Sequence, residues 1–324
     1  MPVTDSGKLE MNQSLKVFND VTELIGNTPM VRINRVTGPD DATVYAKLEW
    51  YNIGGSVKDR LGLYIMEYAE SAARLSITRE SGNGDKKTIL EATSGNTGIA
   101  LAMIAAAKGY RISLVMPESV SIERRKIIKA YGADLVLTPG AKGTAGAIEY
   151  KQKLLKESPE KYVDIDQFRD PANIMAHYQT TGKEILEQTG GNIDAIVLGV
   201  GTAGTGVGTS MRVKETKPGV KIIGVTPKLG VSVQGLRNPR EAFPTQLYRP
   251  EQFDEVVEIG EEEKNEGFKV AREVAKKEGL LVGMSAGSVM YVALKKAREL
   301  GKGKTIVAVL PDGGERYLST NLYE

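Results

Sequence analysis

The chain has 324 residues, 41% of them hydrophobic and 26% charged, with a formal net charge of +2. That balance fits a globular protein of one large domain or two ordinary ones and gives no electrostatic case for nucleic acid or an acidic surface. With no cysteine, disulfides, thiolate metal ligands and a cysteine nucleophile are excluded; the polar start MPVTDSGKLEMNQSLKVF has no signal-peptide core and no apolar run is long enough to span a bilayer, so a cytoplasmic location is expected.

Short β-rich runs alternate with helical patterns almost from end to end. TVYAKLEW reads as a strand, and VKDRLGLYIMEYAESAARL follows with apolar residues at helical spacing. The polar SITRESGNGDKK is a connection. KTILEAT, RISLVMP and DLVLTP read as strands, separated by the helices NTGIALAMIAAAKG and SIERRKIIKAYG. GTAGAIEYKQKLLKES reads as another helix. After YVDIDQF come the helix NIMAHYQTTGKEILEQTG, the strand AIVLGV, the helix GTSMRVKETKPG and the strand KIIGVTP. The long irregular piece KLGVSVQGLRNPREAFPTQLYRPEQFD precedes VVEIG, and irregular segments of that length are often functional. The helices EEEKNEGFKVAREVAKKEG and SAGSVMYVALKKAREL and the strand TIVAVLP complete the pattern. Continuous apolar strands alternating with helices imply parallel sheets covered on both faces, and the length favours two such sheets.

Four glycine-bearing turns stand where ligands bind in such sheets, beyond strand ends and at helix starts. They are NIGGSVKDR, EATSGNTG, GVGTAGTGVG and VGMSAGS. The third contains G-x-G-x-x-G at Gly199, Gly201 and Gly204. A dinucleotide fingerprint also needs an acidic residue at the end of the next strand, and that strand ends in Thr226-Pro227-Lys228. What remains is a Gly- and Thr-rich loop at a helix N-terminus, suited to one phosphate group. In the second turn Thr93, Ser94, Asn96 and Thr97 surround Gly95. One such residue suffices for an N-cap, so the cluster suits a carboxylate ligand. Lys58 and Arg60 sit at a helix start, where cations are disfavoured. After Gly54-Gly55-Ser56 the backbone can approach a ligand closely. A lysine desolvated near positive charge has a lowered pKa and forms Schiff bases. An aldehyde and a phosphate together point to pyridoxal 5′-phosphate.

These blocks resemble the cysteine synthase family of fold-type II pyridoxal-phosphate enzymes, over nearly the whole chain. ELIGNTPMVRI, GGSVKDR, TSGNTG, MPESVSIERRKIIKAYGADLVLTP, QFRDPANIMAHYQTTGKEI, GVGTAGT, VGMSAGS and GERYLST match family segments in the right order. The resemblance implies two doubly wound parallel-sheet α/β domains with the cofactor in the cleft between them. Residues 1–44 and 166–324 would form the large cofactor-phosphate domain. Residues 45–165 would form a small mobile domain carrying the Schiff-base lysine and the substrate loop. By the same resemblance Lys58 is the catalytic, cofactor-bearing lysine and Asn96 bonds the cofactor's 3′ oxygen. Gly201, Thr202, Ala203, Gly204 and Thr205 form the phosphate cradle, and Ser285 faces the pyridine nitrogen. Thr93, Ser94, Thr97 and Gln167 hold the substrate carboxylate. Ala203 stands where the family usually has glycine, which is tolerable if its φ is negative. Ile53 stands for a usual proline. No metal site is expected. His177, the only histidine, lies on a predicted helix and is assigned a structural role.

The implied activity is β-replacement on an activated L-serine by sulfide, giving L-cysteine. Arg237, in GLRN, resembles an arginine of the O-phosphoserine-using branch, and a guanidinium suits a phosphate dianion. O-phosphoserine is therefore favoured over O-acetylserine, with Arg240 near enough to substitute. The alternatives are a cystathionine β-synthase, joining serine to homocysteine, and a noncatalytic docking partner of serine acetyltransferase. A homodimer is expected, and a thiocarboxylate carrier protein is a second possible sulfur source.

Overall fold

The computed structural model describes residues 17–72, 74–75, 87–93 and 95–324. The first sixteen residues, nearly all of SITRESGNGDKK and Ser94 therefore lie outside the described residues.

Among the described residues the strands form two sheets. The larger contains β1 (Met30–Arg32), β2 (Thr43–Leu48), β7 (Ala195–Gly199), β8 (Lys221–Pro227), β9 (Glu255–Ile259) and β10 (Thr305–Leu310), in the order β1-β2-β10-β7-β8-β9. The smaller contains β3 (Thr88–Ala92), β4 (Ile112–Pro117), β5 (Asp134–Thr138) and β6 (Tyr162–Asp164), in the order β5-β4-β3-β6. Helices α1 (Lys58–Ser71), α2 (Asn96–Lys108), α3 (Ile122–Ala130) and α4 (Gly143–Glu157) belong to the first half. They are followed by α5 (Ala172–Ala176), α6 (Gly182–Thr189), α7 (Gly204–Thr216), α8 (Glu261–Glu278) and α9 (Met284–Leu300).

Every strand pair is parallel except β1 with β2. The exception has a physical reason: the short link from Arg32 to Thr43 holds no helix to carry the chain back across the sheet, and a parallel crossover needs one. The central strands β3 and β4 are buried at every position, whereas the edge strands β5 and β9 are half exposed. Along the smaller sheet the apolar residues alternate in the faces they serve. Ile89, Ile112, Leu114 and Met116 join the core under α1, α2 and α3. Leu90, Ala92 and Val115 join a second core with Ala147 and Ile148 of α4. The larger sheet is covered in the same way, by α8 and α9 on one face and by α6 and α7 on the other.

Two expectations change in detail. The predicted boundary at residue 45 cuts β2, which pairs with β10 from Thr43 to Leu48. After β2 the chain enters the core of the smaller sheet at Leu61 of α1, although Ile25, ahead of β1, already packs against that core. The single helix predicted from Asn173 to Gly190 is interrupted by a π-helical turn at His177–Thr181, a feature often found beside functional sites.

Candidate active site

The four glycine-bearing turns, spread along more than two hundred residues, converge on one cleft of about 690 Å³. It opens beyond the C-terminal ends of β7 and β10, and Leu198, Gly199, Val309 and Pro311 form its floor. Lys58, Asn96 and Thr97, Ala203 and Thr205, and Ser285 bring the starts of α1, α2, α7 and α9 to its walls. Four helix N-termini aimed at one space give it positive potential. Its ionisable lining adds to that: Lys58, Arg124, Lys142 and Arg237 outweigh the carboxylate of Glu241.

Lys58 follows a backbone tied to β10, since Val57 N–H donates to Pro311 O at 2.9 Å and Ser56 bridges Asp312. Loss of solvent lowers its amine from the ordinary 10.5 to about 8, against the opposing pull of the Asp312 and Glu49 carboxylates. The lowered value matches the reading from sequence, with burial as its principal cause. Arg60 turns the other way. Its guanidinium lies in a buried network with Glu49, Glu184, Lys47 and Thr28.

Asn96 is held at both ends of its amide. Its Nδ2 donates to Asp312 Oδ2 at 2.7 Å, and its Oδ1 accepts from Arg316 Nη1 at 2.7 Å. Arg316 also donates to Gly54 O. Tyr317 Oη donates to the same Asp312 oxygen at 2.6 Å. Asp312 is buried and its Oδ1 has no partner among the described residues. This arrangement leaves the second Nδ2 hydrogen of Asn96 available at the cleft wall.

The substrate loop is arranged less openly than expected. Thr97 donates to Gln167 Oε1 at 2.7 Å, while Gln167 Nε2 donates to Glu91 at 3.1 Å and to Ala92 O at 3.2 Å. Both Gln167 amide hydrogens are thus committed away from the cleft. Glu91 is itself paired with Lys151 at 3.1 Å. Thr93 is buried behind the loop, where its hydroxyl accepts from Gly95 N–H at 3.2 Å. Gly95, Asn96 and Thr97 reach the cleft.

Gly201, Thr202, Ala203 and Thr205, expected to cradle a phosphate, line one side of the cleft, with Gly204 buried just behind at the first position of α7. Ala203 has φ of +71°, the left-handed region. The condition on which alanine was expected to be tolerable is therefore not met, and the N-cap of α7 is strained. Arg237 is at the cleft, with its Nε on Glu241 at 2.9 Å, its Nη2 on Phe243 O at 3.1 Å and its plane over Phe168. Its Nη1 is buried without a partner among the described residues. Arg240, expected as a substitute, is 64% exposed and pairs with Glu258, so its charge is turned away. Ile53 is exposed.

Sequence reasoning missed Arg124, Asp312, Arg316 and Asn173. Arg124 of α3 donates to Gln234 and lies 4.8 Å from the Tyr317 ring centre, linking the smaller unit to the larger across the cleft. A signal existed for three of them, because Arg124, Asn173 and Arg316 lie inside the quoted motif blocks. Nothing local marked them as site residues.

A lysine with a lowered pKa, an amide N–H, a phosphate cradle and a serine at a helix start suit pyridoxal phosphate: the donors match its phosphate and ring oxygen, and the lysine matches its aldehyde. Residues 21–312 match the family described as pyridoxal-phosphate dependent enzyme. A cysteine synthase of Staphylococcus aureus is 44% identical over 316 residues, covering 95% of this chain and 98% of that one. The structure of a cysteine synthase from Entamoeba histolytica superposes with a TM-score of 0.86 at 38% identity, covering 98% of this chain and 94% of that one. An O-acetylserine dependent cystathionine beta-synthase from Helicobacter pylori gives a TM-score of 0.83 at 35% identity, covering 96% of this chain and all of that one. The chain belongs to the pyridoxal-phosphate-dependent enzymes, and within them to the cysteine synthase family.

Proposed function

We propose that the enzyme is a cysteine synthase that replaces the β-substituent of an activated L-serine with sulfide. The observation that carries this reading is the meeting of Lys58, Asn96, the 201–205 loop and Ser285 around one cleft. Pyridoxal phosphate, once bound, supplies an aldehyde and a conjugated ring that withdraws electrons from the substrate's Cα. Lys58 takes the proton from Cα and later returns it. Asn96, fixed by Asp312 and Arg316, would offer its N–H to the cofactor's 3′ oxygen. Ser285, an uncharged residue on the cleft wall, would hold the ring nitrogen and leave it unprotonated, which favours elimination of a good leaving group over transamination. Backbone N–H groups of Asn96 and Thr97 hold the substrate carboxylate. Closing of the smaller unit over the cleft excludes water.

O-phosphoserine is the favoured donor. The support is Arg237, which lines the cleft and has Nη1 without a partner. Glu241 and Phe243 hold the guanidinium, and a side-chain shift that uncovers the unpaired Nη1 gives a phosphate oxygen its partner. Transfer to homocysteine is a second reading, supported by the likeness to the cystathionine beta-synthase and by Arg124 and Lys142 on the cleft wall, which suit a second carboxylate.

The test is a donor screen with O-phosphoserine, O-acetylserine and serine, each offered sulfide or homocysteine, with cysteine and cystathionine measured. Fastest cysteine formation from O-phosphoserine and sulfide is expected. Cystathionine as the main product would overturn the first reading.

A further inference from the structure

The walls behind the phosphate cradle contain two buried polar side chains that the reaction chemistry does not use. Asn173 and His177 are four residues apart, and both have 0% exposure. Each touches a different threonine of the cradle. Asn173 Nδ2 donates to Thr202 Oγ1 at 2.9 Å, and His177 Nε2 lies 3.1 Å from Thr205 Oγ1. Both threonines also line the cleft.

We propose that Asn173 and His177 are positioning residues that set the Thr202 and Thr205 hydroxyls as donors to the cofactor's phosphate. The inference rests on the cofactor reading above and concerns how the cradle is wired.

The direction of the Asn173 bond follows from its partners, and that of the His177 bond is assigned within the proposal. Asn173 Nδ2 also donates to Gln167 O at 2.9 Å, and a carbonyl only accepts. The atom facing Thr202 is therefore the amide nitrogen, and Thr202 accepts from it. The Thr202 proton is left to point at the cleft. His177 works through its tautomer. Its Nδ1 lies 2.9 Å from Thr181 Oγ1. Burial, with Arg60 and Lys58 adding to it, holds the imidazole pKa well below the usual value, so the ring is neutral, with one donor and one acceptor. With Thr181 donating to Nδ1, Nε2 carries the hydrogen and donates to Thr205 Oγ1. The Thr205 proton then also faces the cleft. A phosphate dianion only accepts, so both threonines present what it needs.

Close packing holds the wiring in place. A Cβ at Gly204 would overlap the Asn173 amide, and one at Gly208 would meet Ile174 O and, at 2.9 Å, His177 Cβ. The two glycines let α7 lie directly against the segment that carries Asn173 and His177. The π-helical turn begins at His177 and ends at Thr181, so it contains the imidazole and the Thr181 end of the relay.

A double-mutant cycle on cofactor affinity tests this. Dissociation constants for pyridoxal phosphate and for pyridoxal, which lacks the phosphate, are measured by titrating the full-length apoenzyme. His177→Leu should weaken pyridoxal phosphate by about tenfold and leave pyridoxal unchanged. His177→Gln, which can still donate to Thr205, should recover most of the loss. In a Thr205→Val background His177→Leu should add nothing further. Thr181→Val, which preserves shape and frees the tautomer, should weaken pyridoxal phosphate by about threefold. It is the arm that decides the matter if His177→Leu does not fold. A loss that persists in the Thr205→Val background, or is shared by pyridoxal, would mean that His177 only packs and would overturn the proposal. Unchanged phosphate-dependent affinity in Thr181→Val would overturn the tautomer assignment.

Discussion

Arg60 closes a two-pronged contact on Glu49, with Nε 2.7 Å from Oε2 and Nη2 3.0 Å from Oε1, while its Nη1 reaches Glu184 at 2.6 Å. Lys47 joins the same Glu184 at 2.6 Å. Two cations and two carboxylates thus balance in the interior. This explains the two cations at the start of α1: Lys58 faces the cleft, and Arg60 leaves the helix end for a neutral buried network. Glu184→Gln removes one charge from that balance and should destabilise the protein by about 3–5 kcal/mol in urea unfolding. Arg60→Lys should also destabilise, because an ammonium cannot reproduce the forked geometry. A loss below about 1 kcal/mol in both, the size of an exposed pair, would show that the network is not tightly coupled.

The lowered pKa of Lys58 has a kinetic signature. Only the neutral amine attacks an aldehyde, so capture of pyridoxal phosphate by the apoenzyme should accelerate as pH rises and level off above about 8, the value set chiefly by loss of solvent. The Asp312 carboxylate raises the Lys58 pKa, so Asp312→Asn should move the midpoint to lower pH. Stopped-flow absorbance across pH 6 to 10 reads both. Lys58→Ala should lose the covalent absorbance band and turnover. A midpoint near 10.5, the ordinary lysine value, would contradict the desolvated site.

Ala203 holds a conformation that glycine adopts more easily, with φ of +71°. Ala203→Gly should raise stability by about 1 kcal/mol, the relief of left-handed strain less glycine's extra entropy in the unfolded chain. Thermal unfolding of the apoenzyme measures it. Unchanged or lower stability would mean that the surrounding loop already accommodates the methyl group.

Ser285 is buried at the start of α9 and lines the cleft. In the proposed cofactor orientation, Ser285→Asp should bring a carboxylate to the ring nitrogen, favour its protonation and lower kcat for β-replacement. Normal turnover in that variant would remove the electronic argument for serine.

Arg237 decides donor choice in the proposed function. A charge-assisted contact to phosphate contributes about 1.5–3 kcal/mol, so Arg237→Ala should cut kcat/KM for O-phosphoserine by roughly ten- to hundredfold and change O-acetylserine little. Equal loss for both donors would point to a folding defect and return O-acetylserine as the default.

The sequence by itself determined what is local. Apolar periodicity marked most strands and helices, and glycine-hydroxyl clusters marked the turns that end at the cleft. Lys58 stood out because a cation at a helix start conflicts with the helix dipole. The antiparallel β1, the interrupted 173–190 helix and the positive φ of Ala203 were not legible, because each depends on how neighbouring segments pack. Partners were hidden for a related reason. Asn96 meets Asp312 across 216 residues and Arg60 meets Glu184 across 124. His177 was legible only as a solitary histidine on a helix, since Thr205 comes beside it when α7 packs on that helix through Gly208. Gln167 and Thr97 were both marked for the substrate, and only the fold turned them toward each other and Glu91. Local motifs say which chemical groups a site contains. Their hydrogen-bond directions and charge balance are fixed by contacts between distant segments, which form only when the two sheets and their helices pack around the cleft.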